Sequence, residues 1–316
     1  MPELETNFLR VLQDYTAGDP MREGVRWTNL TLAEIGERLA GAGTPVSRTV
    51  VKALLHNHHY VKRKAQKAQA MGAHPERNAQ FEYIAQLKQT YLESENPLVS
   101  LDTKKKELLG NFYRPGQLYT QEVVKTFDHD FPSAAQGVVI PHGVYDLKRN
   151  QGYVTLGTSH DTSEFACESL RRWWERQGHA AYPRATSLLL LCDGGGSNRA
   201  GQALFKEDLH RLAEDLGLEI RVAHYPPYTS KYNPIEHRLF PHLTRACQGV
   251  IFHTLDMVKE LMEQAKTTTG LRVTVDILDK VYQTGRKCTE SFKRTMPIVF
   301  DTIFPKWNYR AVSSST

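Results

Sequence analysis

Cysteine chemistry is nearly absent from this sequence. Its four cysteines, Cys167, Cys192, Cys247 and Cys288, are scattered, so there is no CxxC pair for zinc or redox work and no disulfide framework. They read as reduced thiols of an intracellular chain. Long apolar runs are also missing. The longest, Leu188–Cys192, is far short of the ~20 residues that span a bilayer. The amino terminus, MPELETNFLR, is acidic and amphipathic and lacks the basic and apolar regions of a signal peptide. No Walker A motif occurs, and the glycines of Asp193-Gly194-Gly195-Gly196 do not follow a dinucleotide fingerprint. There is no internal repeat and no low-complexity block. These absences set aside secreted, membrane-spanning and nucleotide-binding proteins and leave a cytoplasmic one with no membrane partner.

What remains is a chain of 316 residues, 40% hydrophobic, with a formal charge of +5. That length suits roughly two domains of ~100–200 residues. A mild basic excess permits nucleic-acid binding without showing it. Residues 1–73 read as small helices. Leu4, Phe8, Val11 and Tyr15 fall on one helical face. Thr31-Leu32-Ala33-Glu34 has the spacing of a capping box and opens a second helix carrying Leu32, Ile35 and Leu39. Gly41-Ala42-Gly43 stops it, and Ser47 caps a third, whose apolar side is Val50, Val51, Leu54 and Leu55. Helix, short glycine-bearing turn, helix is the helix-turn-helix pattern.

Charge in this part is one-sided. From Arg38 to Pro75 the only formal charges are positive: Arg38, Arg48, Lys52, Lys62, Arg63, Lys64 and Lys67. Arg48, Thr49 and Lys52 fall away from the apolar side of the third helix, where they can face DNA. Lys62, Arg63, Lys64 and Lys67 suit phosphates, which supply affinity but no sequence reading. A solvated helix face with a basic linker is the competing reading; the neighbouring helix-turn-helix pattern favours DNA. His56, His58 and His59 have no carboxylate or cysteine near them in sequence and do not suggest a metal site.

Residues 74–95 read as one linking helix with Phe81, Ile84, Leu87 and Tyr91 on a stripe, ended by Asn96-Pro97. The pattern then turns to α/β. Apolar strands are expected at 98–102, 137–141, 153–157, 187–193 and 218–224, with helices from Asp161 to about Gln177, from Asn198 to Leu216, and from Pro234 to about Thr267. The expected domains are a helix-turn-helix unit at 1–73, the linking helix at 74–95, an α/β domain at 96–245, and a helical extension with a disordered tail at 246–316.

Three acidic residues occupy positions where chemistry is often placed. Asp102 and Asp193 each end an apolar strand, and Glu236 opens a helix after a proline-rich loop. Three converging carboxylates hold magnesium or manganese, which prefer oxygen ligands. Two such ions about 3.5–4 Å apart activate the attacking oxygen and stabilise the leaving oxygen of a phosphodiester. A plainer reading stands beside this one. An Asp after a strand is commonly a turn or helix cap. Asn233-Pro234-Ile235-Glu236 also has capping-box spacing, in which Glu236 reaches back to the Asn233 amide.

The segments LVSLDTKKKELLGNF, IPHGVYDLKRNQGYVTLGTSHDTSEFACESLRRWW, LLLCDGGGSN and HYPPYTSKYNPIEHRLF together resemble bacterial insertion-sequence transposases of the Rhodopirellula type. PPYTSKYNPIE is more distantly similar to the PPYSP…NPIE stretch of the mariner-like superfamily. The resemblance spans about Pro20 to Tyr309. It implies a ribonuclease-H-like mixed sheet flanked by helices, preceded by an all-α helix-turn-helix unit. It also implies a DDE triad of Asp102, Asp193 and Glu236 holding two Mg2+ or Mn2+ ions. The implied function is cleavage of element ends and joining of the 3′-hydroxyl to target DNA. Terminal inverted repeats and target DNA are then the partners. By position, Lys104, in the lysine run just after Asp102, and Lys231, in the loop before Glu236, join the candidate DNA contacts, with a solvated turn an equal reading for the lysine run. Joining two ends needs two active sites and each chain supplies one triad, so at least a dimer is expected on DNA. Candidate dimer contacts are the Phe81–Tyr91 stripe and the carboxyl-terminal helices, unless each packs within its own chain. The alternatives are a metal-dependent nuclease that never joins and an inactivated or domesticated DNA-binding protein. A strand-transfer assay separates the first and a magnesium-dependent cleavage assay the second.

Overall fold

The computed structural model describes residues 2–13, 15–18, 26–63, 75–195 and 200–313. Two compact units result, residues 1–69 and 70–316.

In the first unit α1 (Pro2–Gln13) is followed by a hairpin of β1 (Thr16–Gly18) and β2 (Arg26–Thr28), then α2 (Leu32–Gly41) and α3 (Arg48–Asn57). The unit is therefore not all-α: the two strands are antiparallel. Three-residue strands are too short to carry a periodic signal. The expected capping box forms, with the Thr31 amide donating to Glu34 Oε2 at 2.7 Å and the Glu34 amide to Thr31 Oγ1 at 3.3 Å. Ser47 Oγ accepts from the Val50 amide at 3.4 Å and starts α3. Leu4, Phe8, Val11, Ile35, Leu39 and Val51 form the core. Two residues leave the expected apolar faces. Val50 is exposed, and Tyr15 lies past the end of α1 with Arg38 stacked 4.4 Å from its ring.

The second unit begins with α4 (Arg77–Glu93). It continues through β3 (Leu98–Thr103), β4 (Glu107–Leu109), β5 (Gly137–Asp146), β6 (Gln151–Gly157), α5 (Ser163–Trp173), a π-helical turn, α6 (His179–Ala181), β7 (Ser187–Cys192), α7 (Ala203–Leu216) and β8 (Glu219–His224). Then come α8 (Pro234–Arg238), α9 (Phe240–Ala246), α10 (Leu255–Glu263), β9 (Arg272–Leu278), α11 (Glu290–Thr295), β10 (Ile298–Phe300) and β11 (Asn308–Ala311). One sheet runs β10-β11-β8-β7-β3-β5-β6-β9, with β4 paired to β5. Its five middle strands, β6-β5-β3-β7-β8, have β5 antiparallel to the other four. Numbered in chain order they read third-second-first-fourth-fifth, the ribonuclease-H-like arrangement.

One face of the sheet carries α5 and α7, where Leu170, Trp173, Phe205 and Leu209 pack on Val99, Leu101, Leu190 and Val222. Trp173 and Trp174 are both buried there. On the other face, Ile84, Leu87 and Tyr91 of α4 pack on Leu98, Leu189, Leu191 and Ala223. The stripe proposed for dimer contact is thus spent inside its own chain, because a helix lying on a sheet must bury that stripe there.

The carboxyl-terminal region is not simply helical. β9 adds to β6 in parallel and β11 to β8 in antiparallel, so residues 246–316 supply strands to both edges of the sheet. β9, Arg272–Leu278, alternates polar and apolar residues, a strand signal that the sequence reading passed over, and β11 has only four residues, too few to give a pattern. Ala311, placed by the sequence reading in a disordered tail, is buried in β11. All four cysteines are free and buried. No described helix is long and apolar enough to cross a membrane.

Candidate active site

β3 and β7 run parallel in register, ending with Leu101 opposite Cys192. The next residues along each strand, Asp102 and Asp193, therefore leave the same end of the sheet side by side. That end is the carboxyl end of the parallel strands, where open α/β sheets place ligands.

Glu236 arrives from α8, and the strand itself positions that helix. Ser100 is the one polar residue in the fully buried part of β3, Leu98–Leu101. Its hydroxyl donates to Asn233 Oδ1 at 2.5 Å and accepts from the Ile235 amide at 3.1 Å. Asn233 Nδ2 donates to the Leu101 carbonyl at 3.2 Å. Asn233 makes no side-chain cap for α8, so β3 supplies the missing acceptor at the helix start. The sequence missed Ser100 and this use of Asn233. The available signal was a serine among LVSLD, since a buried hydroxyl needs a partner.

Glycine completes the fit. Gly143 lies directly across from Asp102 on β5. A Cβ at Gly143 would sit 2.8 Å from Ile235 Cδ1 and 2.9 Å from Phe240 Cε1. The absence of a side chain there lets the neighbour of Glu236 press onto the sheet beside Asp102.

The electrostatics show mutual proximity. Burial, then repulsion from Asp193 and Glu236, pushes the Asp102 carboxyl up to about 8. Burial raises Asp193 and Glu236 as well, and Asp193 raises Glu236 further. Glu236 lies close enough to Asp102 for the two carboxyls to perturb each other. At neutral pH Asp102 holds a proton that an isolated carboxylate would release. Positive charge is favoured at that point, and a buried all-oxygen donor set fits a hard divalent cation. Among the described residues no three His, Cys, Asp or Glu side chains yet close around a common point, as expected where like charges repel without a cation between them.

The supports of Asp193 extend further. Gly195 N donates to Asp193 Oδ1 at 3.1 Å. His224 Nδ1 lies 2.9 Å from the Asp193 carbonyl. Burial, with Lys206 nearby, lowers His224 to about 4, so its ring is neutral.

The candidate DNA contacts divide. Arg48, Thr49, Lys52, Lys62 and Arg63 are exposed. Lys64 and Lys67 lie outside the described residues. Lys231 is exposed beside the Tyr232 ring. Lys104 is buried, and its ammonium is bonded to Glu107; it faces inward because its amide donates to the Pro141 carbonyl at 2.9 Å, continuing the β3–β5 pairing. Lys105 and Lys106 are the exposed members of that run. A carboxylate does reach the histidine cluster: Glu5 Oε1 lies 3.2 Å from His58 Nε2, a pairing across residues too distant in sequence to anticipate.

The Rhodopirellula transposase DDE domain family matches residues 7–313. The chain belongs to this family. As a member it is a DDE transposase by class, and its sheet is the mixed, helix-flanked one expected. The chain has no match among curated proteins. Among solved structures it is similar to the Mos1 transposase paired-end complex with left transposon end, at 14% identity and a TM-score of 0.45, covering 82% of this chain and 70% of that one. It is also similar to the Mos1 mariner paired end complex with Mn, at 13% identity and 0.44, with the same two coverages. The mariner Mos1 paired end complex with Mg gives 13% and 0.46, again with those coverages.

Proposed function

We propose that this DDE transposase binds the ends of its element, cuts the phosphodiester there and joins the freed 3′-hydroxyl to target DNA. The observation that carries the reading is the placement of Asp102 and Asp193 at one end of adjacent parallel strands, with α8 and its Glu236 held on β3 by Ser100 and Asn233. Asp102, Asp193 and Glu236 would hold two Mg2+ or Mn2+ ions. Bound there, the ions supply charge neutralisation at the phosphodiester and activate the attacking oxygen.

The protein's own residues do the rest. Ser100 and Asn233 hold α8 on β3, so Glu236 keeps its place as the carboxylates gain and lose charge. To hold a cation Asp102 would have to release its proton, which would couple metal binding to pH. Arg48, Thr49 and Lys52 of α3 are assigned to the terminal inverted repeats, with Lys62, Arg63, Lys64 and Lys67 on phosphates. Lys231 is assigned to substrate near the site, and Lys104 is withdrawn from that set. Joining two ends to one target requires two triads, so the active form on DNA is at least a dimer.

The test is a cleavage and strand-transfer assay on terminal-repeat DNA in Mg2+, with precleaved ends as a second substrate. Cleavage and joining, both abolished in Asp102→Asn, support the reading. Cleavage without joining of precleaved ends assigns a nuclease instead. End binding without either reaction assigns a DNA-binding derivative.

A further inference from the structure

The pairing of β7 with β8 ends where Cys192 faces His224, closed by the Tyr225 amide donating to the Cys192 carbonyl at 2.8 Å. The next carbonyl, that of Asp193, has left the ladder. A side chain takes it up: His224 Nδ1 is 2.9 Å away. A carbonyl can only accept, so the hydrogen of the neutral ring sits on Nδ1. Nε2 is then an acceptor, and the Tyr309 hydroxyl donates to it at 3.0 Å.

His224 is itself fixed from two further elements. Its amide donates to the Trp307 carbonyl at 2.9 Å, just before β11. Its carbonyl accepts from Gln80 Nε2 of α4 at 2.9 Å. Gln80 and Asn308 exchange hydrogen bonds through both amides, at 2.9 and 2.8 Å. Gln80, His224, Asn308 and Tyr309 are each 0% exposed. Burying four polar side chains is costly unless every one is satisfied; these are, and the network ends on the main chain of Asp193. Beyond Asp193 come Gly194 and Gly195, which impose little direction on the backbone.

We propose that His224, oriented by Tyr309, is a positioning residue that pins the main chain of Asp193 and thereby aims its carboxylate. α4 and the carboxyl-terminal strand β11 are on this view parts of the catalytic apparatus. The inference rests on Asp193 being a metal-holding carboxylate, as proposed above.

Two measurements test it on the full chain. The first is 15N NMR of histidine-labelled, metal-free protein, where His224 is expected as the Nδ1–H tautomer; an Nε2–H tautomer overturns the inference. The second is Mn2+ binding by calorimetry, which needs no turnover. His224→Phe removes the donor, and affinity should fall roughly 10–100-fold, the usual cost of losing a group that orients a ligand. His224→Asn keeps an amide donor near the Nδ1 position and should recover affinity to within about threefold of wild type, with Tyr309→Phe in between. DNA-end binding without metal should be unchanged in all three, which separates aiming from general damage. Wild-type Mn2+ affinity in a cooperatively melting His224→Phe, or in Tyr309→Phe should the first variant not fold, overturns the inference alone. No Mn2+ affinity in the wild type overturns the proposed function and this role together.

Discussion

Asp102→Asn should stabilise the metal-free protein while abolishing cleavage. In the folded chain Asp102 is pushed up to about 8 by burial and two neighbouring carboxylates, against an ordinary 3.8. Its folded pKa is raised, so the folded state binds more protons across that window, and metal-free stability falls as pH rises from about 4 to 8. At 1.36 kcal/mol per pH unit, going from pH 5 to pH 8 costs up to about 4 kcal/mol. The three side chains can swing apart without metal, which cuts this to roughly 2 kcal/mol. Asparagine does not titrate, and its Oδ1 can still accept the 2.7 Å hydrogen bond from the Thr103 amide. The assay is thermal melting in EDTA at pH 5 and pH 8. The advantage of Asp102→Asn in the main transition should grow by roughly 4–8 °C between the two, taking about 2–4 °C per kcal/mol for a unit of this size. Adding Mg2+ at pH 8 should raise the wild type and leave the variant unmoved. An advantage that is the same at both pH values, or a variant that melts below wild type at pH 8 in EDTA, refutes the reasoning.

Gly143→Ala should push α8 off the sheet, costing about 1–3 kcal/mol in urea unfolding, the usual range for overpacking, and lowering cleavage more than end binding. Burial holds His142 at about 4 in the folded chain against 6.5 in water. Its folded pKa is depressed, so its contribution is full above about pH 6.5 and drains away as pH falls towards 4, up to roughly 3 kcal/mol; His142→Phe should flatten urea-derived stability between pH 7 and pH 5 relative to wild type. Charge reversal at Arg48 and Lys52 should weaken terminal-repeat binding and lower its salt dependence while Mn2+ affinity stays unchanged; equal loss of both would refute the division of labour. Light scattering at modest salt should find at least two chains on paired terminal-repeat ends, and a single chain still competent for concerted joining would refute the dimer.

The strands leading to Asp102 and Asp193 were legible because they are nearly pure apolar runs: LVSL and SLLLLC advertise burial on both faces, and an aspartate ending each is conspicuous. The capping box at Thr31 and the cap at Ser47 were legible because their partners lie three residues away. The meeting of β3, β7 and α8 was not, since period and propensity are local and that meeting is a tertiary event; a triad of Asp102, Asp193 and Glu236 was implied by the family resemblance alone. For the same reason Ser100, Gly143, His224 and Tyr309 passed unnoticed. Each acts on a residue brought near only by the sheet. Lys104 went wrong differently. Three consecutive lysines look alike in sequence, but one extends the β3–β5 pairing and points inward to Glu107.

β11 adds a consequence for how the enzyme is made. It lies between β8 and β10 and is formed by Asn308–Ala311. Until those residues are synthesised, β8 is an open sheet edge, with backbone groups ready to pair with another chain. The sheet therefore cannot close on that side until residues far beyond β8 in sequence have been made, and such distant pairings form slowly. A chain cut short before Asn308 keeps the exposed basic residues Arg48, Lys52, Lys62 and Arg63 but leaves β8 as an open, adhesive edge. Such a fragment is expected to pair with other chains along β8 and to aggregate, so the last strand to be made is also the one that keeps the molecule to itself.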